Sequence, residues 1–189
     1  MTPNKIQINR APVLRLWAAV VAERLGFNHE EALSLGKALA GLNAQSKGRR
    51  LGIFKPTPME LKEVRGRERG EEFQVELLGR ALSAVNTDEG VRGVAKSKPI
   101  EPETVERYLK GKFGEALPEA RKALMELASA LDPDELEQRG FGLHEQFWPQ
   151  IPEGVSGWGA NGELDLGRIA AVQERGGRVR VDVKDRPHS

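Results

Sequence analysis

The chain of 189 residues contains no cysteine. That absence removes disulfides, thiolate nucleophiles and every zinc site that needs sulfur. A secreted, disulfide-stapled scaffold goes with them. Aromatic residues make up only 5%, so aliphatic side chains and alanine must fill the core. Long apolar runs are also missing. The longest, Leu16 to Ala22, falls far short of the roughly 20 residues that a bilayer-spanning helix needs. The opening MTPNKIQINR has no apolar stretch like that of a secretory leader. The expectation is a cytoplasmic protein without a membrane partner.

What is present is ordinary for a globular chain, with 39% hydrophobic and 30% charged residues. The length suffices for a sizeable core. The net charge of +1 conceals an asymmetry: residues 1–70 hold 13 Lys/Arg against 6 Asp/Glu, residues 71–189 hold 16 against 22. A basic N-terminal part suits a polyanionic partner, and equally suits docking on an acidic surface.

Pro12 opens a first helix that stops at Gly26, with Val13, Trp17, Val20 and Val21 as its apolar stripe. Asn28 and Glu31 then form a capping-box pattern at the head of a second helix carrying Leu35, Leu39 and Leu42. Thr57, Pro58 and Glu60 mark a short helix before the polar run RGRERGEE. Phe73, Val75 and Leu77 alternate as a strand would, although VELLGRALSAV also suits a helix. Thr87 is expected to cap a short helix ending before Pro99. Further helices are expected over Pro102 to Phe113, from Pro118, and from Asp132 to Trp148. A Gly/Pro-rich stretch anchored by Trp148 and Trp158 follows, then the helix LDLGRIAAVQE and an edge strand RVRVDV.

The expected fold class is therefore mainly α: a helical domain with a helix-turn-helix-like corner, a minor β component and a Gly/Pro-rich C-terminal segment. Its parts are an N-terminal helical pair (1–54), a charged linker with a short helix (55–72), a mainly helical region (73–150), and a C-terminal loop, helix and edge strand (151–189) packed on the same domain.

The corner itself is the first candidate for function. Ala22, Gly26, Ala32 and Leu35 fit the spacing of a helix-turn-helix unit. Lys37 on the second helix, with Lys47, Arg49 and Arg50 in KGRRLGIF beyond it, would then meet a phosphate backbone. Arg65, Arg67 and Arg69 follow in RGRERG, where guanidinium forks suit phosphate. Against base reading, the second helix begins His29-Glu30-Glu31, which sets anions toward a polyanion. A solvated loop beside a helix C-terminus, whose dipole favours cations, also accounts for Lys47 and Arg49.

Other patterns are weaker. GWGANG, Gly157 to Gly162, has the letters of a dinucleotide fingerprint, with Asp182 where a ribose acid would fall, yet no buried strand precedes it. His29, His144 and His188 have no metal-ligand spacing. His144 and Glu145 make a conceivable acid/base pair, and a lone histidine among aromatics is more often packing. Arg107, Lys110 and Lys112, with Lys96 and Lys98, would widen a basic face or pair with Glu103 and Glu106.

NRAPVLRLWAAVVAERLG, EALSLGKALAGLNAQSKGRRLGIF and ETVERYLKGKFG, with GWGANGELDL, are similar to uncharacterised hypothetical proteins of bacteria. The resemblance implies a bacterial cytoplasmic protein and no activity. The reading that results is a non-enzymatic binding module without cofactor or metal. Its leading partner is nucleic acid, contacted by Lys37, Lys47, Arg49, Arg50, Arg65, Arg67 and Arg69. The alternatives are a protein-interaction or self-associating module, and an enzyme around His144 and Glu145.

Overall fold

The computed structural model describes residues 5–42, 53–54, 62, 70–150 and 162–174. Strand β1 (Lys5–Ile8) leads into helices α1 (Arg10–Arg24) and α2 (His29–Ala40). Strands β2 (Ile53–Phe54), β3 (Glu72–Leu77), β4 (Arg80–Thr87), β5 (Gly90–Ala95) and β6 (Lys98–Pro99) follow. Helices α3 (Pro102–Phe113), α4 (Leu117–Ser129) and α5 (Pro133–Phe147) come next, then β7 (Gly162–Asp165) and a helix α6 over 166–174.

The strands form a five-stranded sheet ordered β2-β3-β4-β5-β6 and a two-stranded sheet of β1 and β7. This overturns the mainly α class expected from the sequence, because residues 72–99 are a β-meander. Its turns explain the misreading. Leu78 (φ 54°) and Gly79 (φ 75°) make a two-residue hairpin turn in the left-handed region, so VELLGRALSAV folds back instead of continuing as a helix. Thr87 does not cap a helix: its hydroxyl accepts from the Glu89 amide at 3.2 Å and donates to the Gly90 carbonyl at 2.8 Å, which fixes a turn.

Helix α1 is wrapped on nearly every side, with Pro12, Val13 and Leu16 to Ala22 buried. It packs on α2, α4 and α5. Helix α2 lies between α1 and the sheet, against β4 and β5. The close α1–α2 approach depends on Gly36, where an added Cβ would stand 2.8 Å from the Arg15 carbonyl oxygen and 3.0 Å from the Ala19 nitrogen. The expected capping box is present: Asn28 accepts from the Glu31 amide at 2.8 Å and Glu31 accepts from the Asn28 amide at 3.0 Å.

Buried polar groups stitch α2 to the sheet. Ser34 Oγ donates to the Ile100 carbonyl and accepts from the Gly93 amide, both at 2.8 Å. Glu31 Oε2 accepts from the Val91 amide at 3.0 Å. On α5, the Gly140 carbonyl accepts from Trp17 Nε1 at 2.9 Å. One hydrophobic cluster joins residues of β1, both N-terminal helices, the large sheet, α3 to α5, β7 and α6.

Candidate functional site

Helices α1 and α2 are joined by a turn through Gly26 (φ 123°), but α2 is not free to enter a groove. Glu31 to Gly36, Ala38 and Leu39 are buried beneath α1 and the sheet, leaving its first turn, His29 and Glu30, exposed. Lys37 is half-buried near the α2 C-terminus. Lys47, Arg49, Arg50, Arg65, Arg67 and Arg69 lie outside the described residues, as do GWGAN, Asp182, His188 and, apart from Lys62, the short helix expected after Thr57. Between the basic segments sits β2, paired in parallel with β3 through Ile53↔Gln74 and Phe54↔Val75.

His29 is held from both sides. Its Nδ1 lies 3.0 Å from Glu23 Oε2 and its Nε2 3.1 Å from Glu106 Oε1, while Arg121 Nη2 donates to Glu106 Oε2 at 3.3 Å. The cluster thus clasps the end of α1, the start of α2, α3 and α4. Burial disfavours the charged ring, but the hydrogen bonds to Glu23 and Glu106 outweigh it and raise the His29 pKa above its ordinary value. The two carboxylates take opposite ring nitrogens, so neither nitrogen is spare for proton transfer to a substrate. No group of three or more His, Asp or Glu side chains among the described residues could hold a metal ion.

His144 is the opposite case. It is 2% exposed, and neither ring nitrogen has a hydrogen-bond partner. Its ring centroid lies 5.8 Å from Phe141, 5.8 Å from Phe147 and 5.4 Å from Trp148. Burial, helped by the charge of Arg10, pushes its pKa down to about 4. Glu145 points to solvent, so the acid/base pair suggested by adjacency does not form: successive helical residues diverge by about 100°.

Two guanidinium groups flank this aromatic cluster. Arg10 Cζ lies 3.8 Å over the Trp148 ring, and Arg10 Nε donates to the Pro149 carbonyl at 3.1 Å. Arg80 Cζ lies 4.1 Å over Phe141. Neither arginine forms an ion pair with a carboxylate among the described residues. Sequence reasoning missed both, because Arg10 opens α1 and reaches a carbonyl 139 residues away. A third stacked pair, Arg15 on Tyr108 at 3.9 Å, belongs to the α1–α3 contact. Searches among protein-family models, curated proteins and solved structures found no match to this chain.

Proposed function

We propose that the protein is a non-enzymatic binding module that grips nucleic acid by its phosphate backbone, through the arginines on either side of β2. The parallel register of β2 and β3 carries this reading. Parallel neighbours run the same way and need a crossover connection, so the residues leading into both strands arrive at one end of the sheet. Arg50 stands three residues before Ile53, and Arg69 five before its partner Gln74. At the extended-chain limit these tethers span at most about 11 Å and about 18 Å. The points at which the two basic runs join the sheet, Ile53 and Gln74, are thereby neighbours across one strand pair.

The burial of α2 adds a refinement. With the second helix occupied by packing, contact goes to phosphates and carries no base readout. Affinity then comes from counterion release and falls steeply with salt, by about a thousandfold between roughly 50 and 200 mM for some six phosphate contacts.

The test is an anisotropy titration with random-sequence duplex DNA and RNA at those two salt concentrations, using wild type, Arg49→Ala/Arg50→Ala and Arg65→Ala/Arg67→Ala/Arg69→Ala. Each multiple variant is expected to weaken binding and flatten the salt slope, with little dependence on sequence. Undetectable binding at low salt, or full affinity in both variants, refutes the proposal.

A further inference from the structure

We infer that the row Arg80, Phe141, His144, Trp148 and Arg10 is a stacking site for single-stranded nucleic acid, separate from the arginines on either side of β2. The inference rests on the binding function just proposed and names a second contact and a strand preference.

The chemistry starts with the two guanidinium planes. Each sits over an aromatic ring, with Arg10 Cζ 3.8 Å from the Trp148 centroid and Arg80 Cζ 4.1 Å from that of Phe141. A guanidinium held this way has a second face, on which a nucleobase stacks, and an outward edge of N–H donors that suits a phosphate. Stacking needs an unpaired, splayed base, because bases within a duplex are already covered by their neighbours. Both arginines and both rings are half-buried, so the row borders solvent.

Charge complementarity points the same way. Neither cation is answered by a carboxylate among the described residues, whereas Arg92, Arg121 and Arg139 each have one. Glu137, on the turn of α5 before Phe141, accepts from the Gly79 amide at 3.1 Å. Two cations without a carboxylate partner among the described residues, bracketing an aromatic row, match the combination by which single strands are held: a positive track with rings along it.

His144 supplies the independent sign of a ligand. It occupies the middle of the row, with both ring nitrogens buried and without partners. An imidazole always carries a proton on at least one nitrogen, so a donor there lacks an acceptor. The carboxamide oxygen of Asn9, next to Arg10 in the chain, is likewise buried without a donor. A nucleobase edge offers both the donors and the acceptors that these groups lack.

The test compares a short oligothymidylate, the matching oligouridylate and a duplex of equal length by anisotropy. The proteins are wild type, Arg10→Lys, Arg80→Lys and the double lysine variant, with circular dichroism confirming the fold of each. Lysine preserves charge but not the stacked plane. The double variant is expected to lose single-strand affinity about tenfold or more while its duplex affinity stays within twofold of wild type. Arg80→Lys keeps the test decisive if loss of the Arg10–Pro149 contact unfolds the others.

Equal single-strand affinity in wild type and the lysine variants overturns this inference alone, provided duplex binding still responds to Arg49→Ala/Arg50→Ala. Absence of any nucleic-acid binding in wild type overturns the proposed function and this inference with it. Displacement of the single strand by an acidic peptide at equal charge and concentration, with the same loss in the lysine variants, also overturns it, by assigning the arginines to a protein partner.

Discussion

His144 sits among Phe141, Phe147 and Trp148 with no polar group on either nitrogen, and burial holds its pKa near 4 against an ordinary 6.5. Between those values the unfolded chain takes up a proton that the folded chain refuses, so stability falls as pH drops from about 6.5 to about 4. The loss is worth roughly 3 kcal/mol in all. His144→Leu should abolish that slope in thermal melts and cost little at neutral pH, since a polar group without partners gives way to an apolar one. An unchanged slope in the variant would disprove the assignment.

His29 acts with the opposite sign. Its pKa is raised by the Glu23 and Glu106 hydrogen bonds, which outweigh burial, so its contribution is complete below the ordinary histidine value and fades as pH rises through the folded one. Glu106, with its pKa lowered by His29 and Arg121 against burial, contributes above the ordinary carboxylate value and fails in acid. The expected outcome for His29→Ala is a melting temperature reduced most near pH 5 to 6 and least at alkaline pH. A uniform reduction across pH would contradict the clasp.

At the scale of elements, the two kinds of helical glycine make a direct comparison. Gly36 on α2 faces α1 backbone at 2.8 and 3.0 Å from where a Cβ would be, and neither contact is a flexible tip. Gly36→Ala should therefore cost about 1–3 kcal/mol in denaturant melts as the helices are forced apart. Gly111 on α3 has nothing within 4 Å of such a Cβ, so Gly111→Ala should stabilise by about 1 kcal/mol. Matching effects at the two positions would mean that helix propensity, and not packing, governs both.

Helix ends were the most legible features, because their signals are local. The capping box of Asn28 with Glu31 forms in full, whereas Asp132 caps its helix without the return bond expected from Glu135, and Gly114 ends α3 at φ 59°. The strand at Phe73 to Leu77 was also readable from its alternation. The meander beyond it was not, since a leucine in the left-handed region carries no turn signature. Leu78 accepts that backbone because its side chain is buried against α5 at Gly140, a contact no local window contains. The same distance problem hid Arg10 and Arg80: their rings belong to α5 and its end, far away in sequence. The basic runs around β2 were plain from composition, whereas the β2–β3 pairing that makes Ile53 and Gln74 neighbours was not.

For the molecule as a whole, a single hydrophobic cluster runs from Ile6 to Val172. Unfolding should follow one cooperative transition, with far-UV circular dichroism, near-UV circular dichroism and tryptophan fluorescence superimposing in a denaturant titration. Separate transitions would mean that the N-terminal helical pair and the later region fold as independent units. Opposite charge surpluses in the two parts of the chain do not divide the core, because α1 is bonded into the C-terminal half: Arg24 donates to the carbonyls of Ala128 and Leu131 at 3.3 and 2.9 Å.

Those long reaches set a timetable on the ribosome. Strand β1 pairs with β7 through Ile8↔Gly162, and Trp17 waits for a carbonyl 123 residues downstream. At elongation rates of roughly 5–20 residues per second, the delay between the first strand and its partner is on the order of ten seconds. Throughout that interval one of the most apolar helices of the chain is already made, while the carbonyl that receives its tryptophan and the strand that completes its sheet are still untranslated.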